Sequence, residues 1–472
     1  MRERVKTILL FSLVLLGIFL TQKLWIQLPG NIFTIFESKE KLSSSYLLSD
    51  MIAPNKYLLK FNKGKYTLVY EDKYKLWDNA MTCLKVLLGS DKIKFEEITK
   101  EEYLKYQEQR SLVCYFPEMV NTYILAKAWD VNSPNNIVDT IPNITDIYIF
   151  LGNGDPFFIF SLGDKHVKAY DNELDTKILK NKLTSIEDYE NFDYYYSMRE
   201  VQGTQKDIYI PYEIKNSLPV VYVTNEIAFL DRTEKDLLAE EFFSTNIENI
   251  QEIVEANGSS IYVYENRFLK LSMNGLLEYY HPLEEKVTER NLYISLSNAA
   301  DFINEKTKAE KGMYLAKVEG IESEESFGYR FTFRYRIRGI PIILGNKEVG
   351  EYIQMEVFNN HIRSYKHFIR RETDINLNPI VDGRKMLTSY DVIDQNAEFL
   401  VERYLESKNM TREEVGEEII QEVTSSIEDI TLAYYDPCLK DKGEKLIGVW
   451  TIRFGGKLYA FDAYTGTLVF ER

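Results

Sequence analysis

The sequence predicts an α+β protein: an N-terminal transmembrane helix, then three extracytoplasmic domains of antiparallel sheets with helices packed on them. The last of these is expected to be a helix-plus-meander repeat. Three observations predict this. An uncharged apolar run near the start is flanked by basic residues. Short alternating runs rich in Tyr, Phe, Val and Ile are joined at Asn-Gly and similar turns. Amphipathic helical periods lie between those runs.

The first element is RERVKTILLFSLVLLGIFLTQKLW. No charge falls between Lys6 and Lys23, and Leu24, Trp25 and Ile26 prolong the apolar run. That suffices for a helix across the hydrocarbon core, which needs about 17–25 residues. Lys23 can snorkel to the headgroups, and Trp25 is the interfacial anchor. Arg2, Arg4 and Lys6 place the N-terminus in the cytoplasm and the body outside, giving a single-pass cell-membrane protein. TQKLWIQLPG follows, with no spaced small residues for cleavage and no Cys for lipidation, so the anchor is expected to stay. Residues 1–6 are then the cytoplasmic tail, 7–26 the anchor and 27–46 a polar tether. Leu10, Leu13, Gly17, Leu20 and Leu24 lie along one side of the anchor. Gly17 and Thr21 form a small-xxx-small pair that permits close helix approach. These residues are the candidate interface with a membrane partner.

Residues 47–200 read as an N-terminal α+β domain. KYLLKF and KYTLVY flank Asn62-Lys63-Gly64 as a hairpin. In LWDNAMTCLKVLLG the helical period aligns Leu76, Ala80, Cys83, Leu84, Leu87 and Leu88, and Gly89 is the stop. DIYIFLGNGDPFFIFSLG is a second hairpin turning at Asn153-Gly154. DNELDTKILKNKLTSIEDY is a helix.

Residues 201–300 form a middle domain. LPVVYVTNEIAFL is strand-like, TEKDLLAEEFF is a helix with Thr233 as N-cap, and SSIYVYENRFLKLSMNGLLEYYHP gives three short strands turning at Glu265-Asn266 and Asn274-Gly275. Residues 301–472 form the C-terminal domain. SLSNAADFINEKTK, a helix, precedes the strand runs MYLAKVEGI, GYRFTFRYRIRGIPI and YIQMEVFNNHIRSYKHFI. A second helix, SYDVIDQNAEFLVERYL, precedes EDITLAYYDP, KLIGVWTIRFGGKLYAFDA and GTLVF. Helix then antiparallel meander occurs in both halves.

Composition narrows the function. With 34 Tyr, 26 Phe and modest Pro and Gly, the chain is folded and strand-rich. A formal net charge of −16 argues against nucleic acid, which demands a basic surface. Cys83, Cys114 and Cys438 are too few for a disulfide framework, and the first two read as small core residues.

No familiar catalytic or cofactor motif occurs. The four histidines (His166, His281, His361 and His367) show no HExxH spacing. His361 and His367 fall on one face of a strand but about 20 Å apart. GxSxG, Walker A and CxxC are missing, and LGNGDPF lacks the third glycine and the helix of a dinucleotide site. No catalytic, cofactor-binding or metal-binding residue is therefore assigned. In GYRFTFRYRIRG, Tyr329, Phe331, Phe333, Tyr335 and Ile337 alternate with Arg330, Thr332, Arg334, Arg336 and Arg338. The arginines could hold an anion, but in so acidic a chain cross-strand pairing with Asp and Glu is the stronger expectation.

These pieces together resemble the YycH (WalH) family. The resemblance rests on LTQKLWIQLP, YLLSDMIAPNKYLLKF, KLWDNAMTCLKVLL and EFFSTNIENIQEIVEANGSSIYVYENRFLKLSMNGLLEYYHP. The C-terminal GVWTIRFGGKLYAFDAYTGTLVF is similar to the PepSY-like ending shared with the YycI (WalI) family. The resemblance implies a three-domain extracytoplasmic body on one anchor helix, with no enzymatic activity. It implies partnership with a WalK/YycG-like sensor histidine kinase and a YycI/WalI-like sister regulator, tuning genes of cell-wall metabolism. The anchor would contact the kinase's transmembrane helices. The alternative is an anchored extracytoplasmic module that binds a ligand or peptide, protease modulation included, since PepSY-like repeats are otherwise associated with inhibiting proteases. A wall hydrolase would need two carboxylates about 5–9.5 Å apart in a cleft.

Overall fold

The computed structural model describes residues 44–472 apart from 62–63, 71, 190–191, 205–206, 216, 309–311, 347–348, 374–382, 415, 417 and 440–442. The cytoplasmic tail, the anchor, tether residues 27–43 and all the candidate interface residues from Leu10 to Leu24, with Trp25, lie outside the described residues. Among the described residues no helix is long and apolar enough to cross a membrane.

Helix α1 (Ser44–Met51) buries Leu48 and Met51. The expected hairpin follows as antiparallel β1 (Lys56–Lys60) and β2 (Tyr66–Val69). Helix α2 (Leu76–Gly89) buries the predicted stripe, Leu76, Ala80, Leu84, Leu87 and Leu88, together with Trp77. Cys83 is only half-buried, and its thiol donates to the Asp175 carbonyl. The chain continues through β3 (Lys94–Ile98), α3 (Lys100–Gln107), β4 (Ser111–Asn121), α4 (Thr122–Ala128), α5 (Ile137–Thr140) and β5 (Asn143–Phe150). Then come β6 (Phe158–Leu162), β7 (Lys165–Tyr170), α6 (Lys177–Tyr189), β8 (Tyr195–Ser197), α7 (Met198–Gln202) and β9 (Tyr209–Pro211).

These nine strands form one sheet in the order β3-β7-β6-β5-β4-β1-β2-β8-β9. One face carries the main core with α2 and α6. The other packs Leu58, Val113, Tyr148 and Ile159 against Tyr66, Tyr103, Tyr195 and Tyr209. Because both faces are covered, the central strands read as continuous apolar runs such as IYIF and FFIF, without polar alternation.

Beyond it, β10 (Tyr222–Asn225) leads to α8 (Arg232–Phe243). The cap of α8 is Asp231 and not Thr233: the Asp231 carboxylate accepts from Glu234 N at 2.9 Å and Glu234 reciprocates at the Asp231 N–H. A carboxylate can also meet the positive end of the helix dipole, as a hydroxyl cannot. The three expected strands are β12 (Ser260–Tyr264), β13 (Arg267–Leu271) and β14 (Leu276–Tyr280), preceded by a short β11 (Gln251–Val254).

Helix α9 (Leu292–Lys306) is followed by β15 (Met313–Ser323), β16 (Ser326–Ile337), β17 (Ile340–Leu344), β18 (Ile353–Phe358), β19 (His361–Phe368) and β20 (Arg370–Glu372). Two of the long runs are thus hairpins in themselves, turning where Arg338 and Asn359 take positive φ. The second expected helix is split into α10 (Ser389–Gln395) and α11 (Ala397–Lys408) at Asn396, whose amide donates to Val392 O and Gly466 O. Helix α12 (Ile419–Ser425) follows, then β21 (Asp429–Asp436), β22 (Glu444–Lys445), β23 (Ile447–Phe454), β24 (Lys457–Asp462) and β25 (Leu468–Glu471).

A 13-stranded sheet runs β11-β12-β13-β14-β19-β18-β16-β17-β21-β23-β24-β25, with β15 on β16. Among the described pairs all its neighbours are antiparallel except β17 and β21. Helix-then-meander therefore occurs twice: α9 with β15, β16, β18 and β19, and α10–α12 with β21, β23, β24 and β25. The parallel β17–β21 pair joins the two. Strands β20, β10 and β22 make a separate three-stranded sheet.

Candidate functional site

Alternation along β16 puts its aromatic side chains into the core and its arginines on the opposite face. Arg330 lies directly across from Glu356 in register and bonds its Oε1 at 2.7 Å. Arg363 takes the other oxygen, also at 2.7 Å. Burial pushes the Glu356 carboxyl up, but the hydrogen bonds from Arg330 and Arg363 outweigh it and hold the group below its ordinary range. Arg334 binds Glu351 through two nitrogens and also meets Glu118. Arg336 donates to the carbonyls of Ala53 and Pro54. Arg330 and Arg334 are thus paired with carboxylates, as the acidic composition led one to expect, whereas Arg336 is held by backbone carbonyls and Arg338 lies in the β16–β17 turn.

The histidines separate. Between Glu356 and Val357 the β18–β19 register shifts by one residue, which reverses side-chain parity along β19. His367 therefore enters the core at 1% exposure, while His361 lies on the other side against His281, with ring centroids 4.5 Å apart. The expectation of one shared face fails at this bulge. His367 Nε2 is 3.1 Å from Tyr335 Oη, and Nδ1 is 2.7 Å from Tyr365 Oη. Tyr365 Oη is 2.6 Å from Thr307 Oγ1, which donates to Ile303 O. Assigning protons along that chain makes Nδ1 the donor and Nε2 the acceptor, a neutral imidazole. Burial, reinforced by the Arg371 charge, pushes its pKa down to about 3.

A second enclosed cluster was not singled out by sequence. Lys60 is 2% exposed. Its ammonium donates to Gln107 O at 3.0 Å and lies over the rings of Tyr66 and Tyr209, 5.6 and 5.3 Å from their centroids. Around it, Tyr209 and Ser197 donate to Asp207, Tyr66 to Glu200, and Tyr103 to Asp146. Burial pushes the lysine down to about 8, against the pull of Asp207, and burial raises Asp146. Parity with Leu58 was the available signal, since Lys60 and Leu58 share the second buried face of β1. A third cluster joins Arg370 to Asp436 through two nitrogens, at 2.9 and 2.7 Å, and to Glu444, with all three side chains at most 4% exposed. Both carboxylates also accept backbone N–H groups, from Cys438 and Leu439.

These clusters are hydrogen-bonded within themselves, and their centres, Lys60, His367 and Arg370, are buried, while Glu200 at the rim of the Lys60 cluster is exposed. They hold strands and helices in place and present no reacting atom to a substrate. Among the described residues no group of three or more His, Cys, Asp or Glu side chains is placed to hold a metal ion. The three cysteines are unpaired.

The architecture defines a class of mixed α+β protein: a broad antiparallel sheet covered on both faces, continued by a helix-and-meander pair. No protein-family profile matches the chain, and no curated protein matches it. Among solved structures the fold is that of YycH from Bacillus subtilis, with TM-score 0.54 and 12% identity over 88% of this chain and 96% of that one. An uncharacterized protein from Eubacterium rectale matches with TM-score 0.35 and 12% identity over 56% of this chain and 90% of its own. The Bacillus megaterium YpeB C-terminal domain matches with TM-score 0.25 and 12% identity over 52% and 97%.

Proposed function

We propose that the chain is a non-enzymatic, membrane-anchored regulator of an essential two-component sensor histidine kinase that controls cell-wall metabolism. The N-terminal helix spans the cell membrane once, with its N-terminus cytoplasmic and the main body extracytoplasmic. Regulation runs through transmembrane-helix contacts and contacts of the body, alongside a sister regulator of the YycI type. The observation that supports this reading is the likeness of fold to YycH along nearly the whole described chain. Signalling of this kind needs two kinase states that the regulator contacts differently, and a coupling of about 1–3 kcal/mol shifts activity 5- to 150-fold.

The test is co-purification or a membrane two-hybrid assay with the co-encoded sensor kinase, comparing the full chain, residues 1–30 and residues 31–472. Association of 1–30 alone makes the anchor the recognition element. Association of 31–472 alone makes it a tether and moves recognition to the folded surface. Association of neither defeats the kinase reading.

A further inference from the structure

Helices α2 and α6 lie side by side, and the turn leading into α2 faces the outer side of α6 across an open groove of about 710 Å3. Its walls are Lys73, Tyr74 and Lys75 on one side and Ile178, Lys182 and Tyr189 on the other. The α6 wall carries two uncovered apolar side chains, Ile178 at 62% and Tyr189 at 83% exposure, with the polar Asn181, Lys182 and Ser185 between them. These two apolar side chains sit away from the buried face of the helix, where Leu179 and Leu183 fill the core and Ile186 reaches from the core to the groove floor. Folding therefore does not account for them.

The charge is the second observation. The chain carries 73 acidic against 57 basic residues, yet the lining has three lysines and, among the described residues, no carboxylate. Asp193, which accepts the Lys215 N–H, is near enough to share the Lys73 charge, and three other nearby acids are turned to other tasks. Asp72 accepts the Leu76 and Trp77 N–H groups at the start of α2. Glu187 is held by Arg110, and Asp175 lies beside Lys177. The walls are also braced: Lys182 Nζ donates to Tyr74 O at 2.9 Å, and the Lys73 ammonium lies 4.9 Å from the Tyr74 ring centroid. A braced trough with exposed apolar side chains at Ile178 and Tyr189 and lysines at its rim matches one kind of occupant by charge and shape.

We propose that this groove docks an acidic amphipathic helix of a partner protein. The helix lays its apolar side chains on Ile178 and Tyr189 and its flanking carboxylates on Lys73, Lys75 and Lys182. The volume lies within the range of ordinary ligand pockets, about 300–1,000 Å3, so it takes a few side chains of one helix face. The inference stands on the groove alone and does not depend on the kinase reading.

The test uses the full chain in detergent micelles and three fluorescein-labelled 14-residue peptides. One has Leu or Phe at i, i+3, i+4 and i+7 with Glu elsewhere, one replaces every Glu by Lys, and one is polyglutamate. Fluorescence anisotropy measures binding, and carbodiimide coupling followed by mass spectrometry maps it. The Glu-Leu peptide should bind best and couple to Lys73, Lys75 or Lys182. Its affinity should fall about tenfold in the Lys73→Glu/Lys75→Glu variant, since each exposed charge pair contributes a few-fold. That variant should in turn gain affinity for the Lys-Leu peptide, which mere loss of structure cannot produce. Ile178→Ser, with the lysines intact, should also weaken the Glu-Leu peptide. Equal binding of acidic and basic peptides, equal binding of polyglutamate, or coupling confined to other lysines each overturns the proposal.

Discussion

Acidification should weaken the fold through His367. Its ordinary pKa is about 6.5, and burial with the Arg371 charge holds it near 3 in the folded chain. Below pH 6.5 the unfolded chain takes up a proton that the folded chain refuses. The stability linked to His367 is thus complete above pH 6.5 and is lost as pH falls toward 3. Integrating proton uptake between pH 7 and pH 5 gives a loss of about 2 kcal/mol. Other groups titrate in the same window. Asp72, pushed up to about 6 by burial against its backbone N–H partners, binds its proton more tightly when folded and gains stability on acidification. The useful quantity is therefore a difference. His367→Gln keeps an acceptor for Tyr335 and a donor for Tyr365 but cannot titrate. Urea unfolding of residues 44–472, which form one compact unit, should be followed for both proteins from pH 7 to 5. The wild type should lose about 2 kcal/mol relative to the variant. Parallel pH profiles would refute the neutral, enclosed imidazole.

Three further outcomes are expected. Arg370→Met strands Asp436 and Glu444 without their cation and should cost about 3–5 kcal/mol in chemical denaturation, with most of it restored when those two become Asn and Gln. Asp231→Ala should cost about 1 kcal/mol through loss of the α8 cap, while Thr233→Ala, inside the helix, should be near neutral by the same assay. Gly17→Leu should leave membrane insertion intact, seen by fractionation, while impairing kinase control. Normal control by that variant would sink the idea of a packing face in the anchor.

The elements that could be read ahead of the structure are those whose cause is local. The stripe from Leu76 to Leu88 is periodic in itself, and a turn such as Asn274-Gly275 announces its own φ, which is +94° at Gly275. The fate of Arg330 and Arg334 was also legible, because pairing with acids is the generic outcome for a charged sheet face in an acidic chain, whereas Arg336 went to the Ala53 and Pro54 carbonyls. The failures come from single-residue or long-range causes. One extra residue in β19 moved His361 away from His367. The Asn396 amide reached Gly466 in a distant turn and split a helix that periodicity carried straight through. Lys60 looked like any strand lysine, because the residues enclosing it, Gln107, Asp146, Asp207 and Tyr209, lie from 47 to about 150 positions further on.

The segments that carry the YycH resemblance can now be read as packing. Phe242 and Phe243 of EFF pack on Tyr279 of the LEY element, and Phe242 also meets Phe302 of α9. The glycine of that element must be glycine, since a Cβ at Gly275 would fall 2.0 Å from the Asn225 amide, itself tied to Asn274 O. Trp450 of GVWTIRF is buried and donates to Leu387 O. Each of these residues fixes an element in place, and Phe242, Phe243, Tyr279 and Trp450 are buried. The fold is shared with YycH at 12% identity, and fold alone does not fix function. Under the proposed function, recognition falls to side chains that the core does not use. Ile178 and Tyr189 are exposed side chains of that kind, and the charge-swap at Lys73 and Lys75 beside them probes recognition where a core substitution would report only stability.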